Sequence, residues 1–121
     1  MWTPQQLTEA AKEDVYIAVP NPDGTLHAPT WIWLVAVDGE LYVRSYNGVR
    51  GRWYTAARRE GRARVRFGSV KQDVTLEFPD DEALNQKIDA AYQAKYAGSP
   101  YVDGPVNEPM RSATVRLVSV E

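Results

Sequence analysis

The stretch TWIWLVAV, residues 30–37, constrains the fold more than any other part of the chain. Read as a strand, it puts Trp31, Trp33, Val35 and Val37 on one face and Ile32, Leu34 and Ala36 on the other. Side chains alternate across a strand, so a segment apolar on both faces has to be covered twice. The interior of one small barrel covers one face. Helices or a second copy of the chain must cover the other. Asp38–Gly39 is then a two-residue hairpin signal that turns the chain into ELYVRSY, Glu40–Tyr46.

The flanking patterns supply partners for this hairpin. VYIAVP (Val15–Pro20), RARVRF (residues 62–67), DVTLEF (Asp73–Phe78) and SATVRLVSV (Ser112–Val120) read as further strands. In RARVRF, Ala63, Val65 and Phe67 point inward while Arg62, Arg64 and Arg66 form a solvated face that can pair with Glu77. Thr3 as cap, Pro4 at the first helical position and Gln6 three residues after the cap predict a helix from Pro4 to Glu13. Trp2 beside that cap is expected to act as a staple or a dimer contact. A second helix is expected over Arg52–Glu60. A third runs over Asp80–Ala97, with acidic residues at its dipole-favoured start and an apolar stripe of Leu84, Ile88, Ala91, Tyr92 and the stem of Lys95. GSPYVDGPVNEP reads as an irregular loop. The whole is a mainly β (α+β) chain in one domain, residues 1–121: a six-stranded antiparallel sheet closed, or nearly closed, into a barrel with short helices.

Charge is unevenly placed. Eight of ten arginines lie between Arg44 and Arg66, opposed there by Glu60 alone, a local balance of +7 within a chain of net charge −2. A uniform polyanion binder is not built this way, and a pI near 5.4 sets nucleic acid aside as a partner. A local anion site is compatible with it. Arg44 and Ser45 end one strand while Gly51 and Arg52 begin a helix, and free amides at a helix start attract anions. Arg44, Arg50 and Arg52 therefore sit where a phosphate could be held by planar guanidinium forks, or else they are ordinary surface charge.

Other chemistry is sparse. The one histidine, His27, and the absence of cysteine leave neither a metal site nor a nucleophile–base pair to build on. Tyr92 and Lys95 are three residues apart rather than four and follow no Gly-rich loop, which rules out a short-chain dehydrogenase pair. Tyr92, Tyr96 and Tyr101, with Trp33, form either a substrate-pocket wall or core packing with hydroxyls reaching the surface. No apolar run reaches the roughly 20 residues that span a bilayer, and the N-terminus lacks the order of a secretory signal, so a cytoplasmic protein with no membrane partner is expected.

The segment TWIWLVAVDGELYVRSYNGVRGRWYTAARREGRARVRF resembles the FMN-binding split-barrel superfamily, which includes pyridoxamine-phosphate oxidase-like proteins and deazaflavin-dependent reductases. Within it, WIWLVAVDGELYVRS, GRWY and IDAAYQAKY followed by YV look most like a bacterial family of unknown function. The resemblance implies a Greek-key-like split barrel forming a homodimer, with FMN or the deazaflavin F420 in grooves between subunits. It carries contacts with the flavin ring onto Thr30, Trp31 and Ile32. Phosphate contacts fall on Arg44, Ser45, Asn47, Arg50, Arg52 and Tyr54, and Trp53 is a further cofactor-binding position. Trp31 and Trp33 are bulkier than the small residues such sites often carry; they can stack on a ring or fill its groove. An oxidoreductase acting on a small molecule is one implied function, because a flavin performs the hydride chemistry itself. A cofactor-free barrel that binds or converts an aromatic metabolite is the other.

Overall fold

The computed structural model describes residues 2–26, 28–46, 48–100 and 107–120. His27, Asn47 and Tyr101 lie outside the described residues. Helix α1 (Pro4–Lys12) is followed by β1 (Val15–Ala18), β2 (Thr30–Ile32), β3 (Leu34–Val37) and β4 (Glu40–Arg44). A 3₁₀ turn (Gly48–Arg50) leads to α2 (Arg52–Glu60), β5 (Arg62–Phe67), β6 (Val70–Glu77), α3 (Glu82–Lys95), α4 (Glu108–Arg111) and β7 (Thr114–Ser119). Among the described residues no helix is long and apolar enough to cross a membrane.

The strands form one antiparallel sheet in the order β2-β1-β5-β6-β7-β4-β3. There are seven strands rather than the six expected, because the predicted strand Thr30–Val37 breaks at Trp33. Its first half pairs with β1 and its second with β4, so the two edges of the sheet are consecutive in the chain and the barrel is closed through Trp33.

Local sequence accounts for most of these elements. The capping box forms in both directions, Gln6 N donating to Thr3 Oγ1 at 3.1 Å and Thr3 N to Gln6 Oε1 at 2.9 Å. Gly61, at φ 70°, ends α2 with its N–H on Ala57 O at 2.7 Å. Asp38 (φ 52°) and Gly39 (φ 81°) turn the β3–β4 hairpin in the doubly positive-φ conformation that matches strand twist. The β5–β6 turn is only Gly68–Ser69, tighter than expected, and Ser69 is held by Glu9 of α1.

Both coverings of the doubly apolar segment are visible. Ile32 and Leu34 face the barrel interior with Ile17, Val43, Val65, Phe67 and Leu117. Val35 and Val37, with Tyr42, lie under Ile88 and Tyr92 of α3, so the second cover is a helix of the same chain. Trp2 closes the barrel end as a core residue, its ring edge-on to Phe67 at 5.7 Å and its Nε1 donating to Leu117 O at 2.9 Å. The arginines of β5 face outward as expected, but Arg64 pairs with Asp73, directly opposite, at 2.8 Å. Glu77 is instead taken by Arg116 on β7 at 2.7 Å.

Candidate functional site

The clustered arginines separate in space into three groups. Arg62, Arg64 and Arg66 belong to the sheet face, where Arg66 also lies over the Tyr16 ring at 4.7 Å. Arg44 turns inward. It is one of the largest fully buried side chains, with Nη1 on Asp89 Oδ1 at 2.6 Å, Nε on Thr114 Oγ1 at 2.9 Å and Nη2 on Asn85 Oδ1 at 3.1 Å. A buried guanidinium needs such acceptors, and these three come from α3 and β7, out of sight of the local sequence.

The third group surrounds the start of α2. Arg50 and Arg52 are exposed, and no carboxylate pairs with either among the described residues. Between them Gly51 caps α2 without a side chain, so the first-turn amides have no side-chain acceptor. Gly48, at φ 65°, lets the turn press against α4; a Cβ there would come within 2.9 Å of Pro109 O. Ser45, whose carbonyl accepts from Gly48 N at 3.0 Å, is 1% exposed, and its Oγ has no hydrogen-bond partner among the described residues. Trp53 is half-buried and Tyr54 buried, packed edge to face at 6.2 Å. Ser45, Arg50, Arg52 and Trp53 thus lie along the turn that leads into α2, while Arg44 is anchored on α3 and β7.

The strand break forms a second polar cluster. Trp33 stacks on Tyr96, centroids 3.9 Å apart and planes 4° from parallel. Tyr96 Oη donates to Asp14 Oδ1 at 2.6 Å and accepts from Leu34 N at 3.1 Å, and Trp31 Nε1 donates to Asp14 Oδ2 at 2.9 Å. Tyr92 donates to Trp33 O at 3.3 Å. Lys95 Nζ donates to Ala10 O at 2.7 Å, Glu13 O at 2.6 Å and Leu34 O at 2.5 Å. Side chains of α3 therefore satisfy backbone groups where the strand changes neighbours, which is the physical reason it can break there.

Hydroxyls expected on a pocket wall are spent on this structural task. Burial, and then the hydrogen bond to Asp14, hold the Tyr96 phenol well above its ordinary range, and burial does the same to Tyr92. Burial also draws the Lys95 ammonium down to about 8, against the pull of the Asp14 and Glu13 carboxylates. Sequence reasoning missed Asp14 altogether and the donor role of Lys95. No local signal marks these roles, since Leu34 O lies 61 residues from Lys95 and Tyr96 lies 82 from Asp14. Lys95→Met is expected to lower stability by about 2 kcal/mol in urea unfolding, because three carbonyls lose a charged donor while the stem still packs. A cost below about 0.5 kcal/mol would remove this role from Lys95.

Trp31, by contrast, stays 55% exposed on β2, while Thr30 is half-buried and Ile32 sits in the barrel. The groups expected to contact a flavin ring therefore divide, with only the β2 edge presenting an open aromatic surface.

Comparison with solved structures places this geometry in a known fold. A putative pyridoxamine 5'-phosphate oxidase from Listeria innocua superposes with a TM-score of 0.67 at 12% identity, over 97% of this chain and 93% of that one. A FAD-binding protein from Mesorhizobium loti gives 0.62 at 16% identity, over 99% and 91%. An F420 reductase gives 0.54 at 20% identity, over 98% and 93%. Likeness at these identities establishes the split-barrel fold. No curated protein matches the chain. A family model does match, over residues 6–117, and by that match the chain belongs to DUF2255, a family of uncharacterized proteins conserved in bacteria.

Proposed function

We propose that this protein binds a flavin-type cofactor, FMN or the deazaflavin F420, with the phosphate at the start of α2, and uses it in the oxidation or reduction of a small molecule. The observation that carries the proposal is the pair of exposed guanidinium groups, Arg50 and Arg52, with no carboxylate partner among the described residues, on either side of a helix start without a side-chain cap. Guanidinium forks and helix-start amides both recognise phosphate oxygens, and here they converge. The Ser45 hydroxyl, which has no acceptor among the described residues, fits the same role as a donor. Solved split barrels that include a FAD-binding protein and an F420 reductase support the choice of ligand class.

The cofactor would supply hydride transfer; the chain supplies position and charge. Arg50 and Arg52 neutralise the phosphate, and Trp53, half-buried beside them, offers an apolar wall. The edge strand β2 offers Trp31, whose indole is oriented by Asp14 at 2.9 Å. We further propose that two copies pair so that the ring is enclosed between them. Trp31 (55% exposed) and Tyr16 (39% exposed) stand opposite each other on the outer face of β2 and β1 and give such a contact its apolar content.

The test is a titration of the purified full chain with FMN and with F420 at low salt, read by cofactor fluorescence, alongside light scattering. Micromolar or tighter binding to one of them by a dimer is expected. Failure to bind either cofactor would overturn the reading and leave the cofactor-free barrel.

A further inference from the structure

A recess of about 380 Å³ opens where α2, the Phe78–Asp80 stretch, the start of α3 and α4 meet. Its volume is that of a small-molecule site. Asn85 of α3 lines it and is nine-tenths buried, with 9% exposure. The orientation of that amide is set by chemistry. Arg44 Nη2 can only donate, and it lies 3.1 Å from Asn85 Oδ1, so the oxygen faces Arg44 and the NH₂ group turns away. Among the described residues nothing accepts from Nδ2. The Tyr54 hydroxyl, also on the wall, has no hydrogen-bond partner among them either.

The charged groups of the recess divide in the same manner. Although its buried Nε makes no hydrogen bond among the described residues, Arg111 is ion-paired, with Glu82 at 2.7 Å, Asp89 at 3.1 Å and Glu108 at 3.5 Å. Arg58 is not: its guanidinium lies over the Phe78 ring at 4.5 Å, and no carboxylate pairs with it among the described residues. Asp80 likewise has no cation partner among them. What the recess leaves unspent is therefore one cation, one anion and two neutral donors, beside the apolar surfaces of Val49, Phe78 and Pro79. A simple anion would satisfy the donors and Arg58 but meet the carboxylates of Asp80, Glu82 and Glu108. A simple cation would leave the Asn85 amide without an acceptor. A molecule with both charges answers every unspent group.

We propose that this recess binds a small zwitterion of the apolar α-amino acid class, its carboxylate received by Arg58, Asn85 and Tyr54 and its ammonium by Asp80, with the side group against Phe78 and Pro79. The site requires neither Arg50 nor Arg52 and stands whether or not a flavin binds.

Calorimetric titration of the full chain with L-phenylalanine and L-leucine, against phenylacetate and phenethylamine, tests it. At least one amino acid is expected to bind, with phenylacetate and phenethylamine each weaker by about tenfold or more, the loss expected when one charged contact goes. Arg58→Gln should erase the preference over phenethylamine, and Asp80→Asn the preference over phenylacetate. Both side chains are exposed, so the variants should fold as the parent does, which circular dichroism would check. Silence toward both amino acids up to about 10 mM would overturn the proposal. So would an equal affinity for phenylacetate, or binding unchanged in Arg58→Gln.

Discussion

Replacing Arg50 and Arg52 together by alanine is expected to weaken FMN or F420 binding by about 3–6 kcal/mol, which is about two to four orders of magnitude in dissociation constant. Each side chain makes a charge-assisted contact of about 1.5–3 kcal/mol, and neither has a carboxylate among the described residues to fall back on. For the same reason the folded state should hardly notice. Both residues are exposed, so unfolding free energy should move by no more than about 0.5 kcal/mol. Salt offers an independent check. Raising ionic strength shortens the screening length, so parent binding should fall steeply while the residual binding of the double variant stays nearly flat. Arg64→Ala is the control, since Arg64 sits on the sheet face opposite Asp73. If the double variant binds as the parent does, the phosphate is held elsewhere. If Arg64→Ala weakens binding as much, only general positive charge was at work.

What could be read beforehand depended on the range of the interaction. Features set by residues three or four apart were legible: the reciprocal bonds of Thr3 and Gln6, the glycines bounding α2, the Asp38–Gly39 turn, and the inward and outward alternation of β5. The break at Trp33 was not, because TWIWLVAV carries no local reason to stop; its cause is Tyr92, Lys95 and Tyr96 arriving from α3. Helix α4 was overlooked although its signal is local, Asn107 capping Met110 N with Pro109 in the first turn. The site was half legible. An arginine-rich strand end and helix start suggested an anion cradle, yet charge counting cannot separate Arg50 and Arg52 from Arg44, whose partner Asp89 is 45 residues further along. The recess around Asn85 lay beyond sequence reasoning altogether, since its walls come from four separate segments.

Asp89→Ala is expected to destabilise the protein by about 3–5 kcal/mol, a large part of the roughly 5–15 kcal/mol that holds a domain of this size together. The Arg44 side chain is 0% exposed and Asp89 only 20%, so removing the carboxylate strands a charge where water cannot reach it. Asp89 also faces Arg111 Nε at 3.1 Å, so two guanidinium groups lose their shared counter-ion at once. Replacing the pair together, Arg44→Met with Asp89→Leu, should recover part of the loss, because a buried ion pair contributes less over an apolar pair than its half-broken form costs. Recovery should stop short of complete: Thr114 Oγ1 and Asn85 Oδ1 each accept from Arg44 and would be left without that donor. Urea unfolding followed by tryptophan fluorescence reads all three variants, and the coupling between the two positions follows from the cycle. The same variants decide between the two roles open to Arg44. If it directly held the phosphate, the double replacement would lose cofactor binding even where folding is restored. If it is the strut joining the end of β4 to α3, binding should return in step with stability.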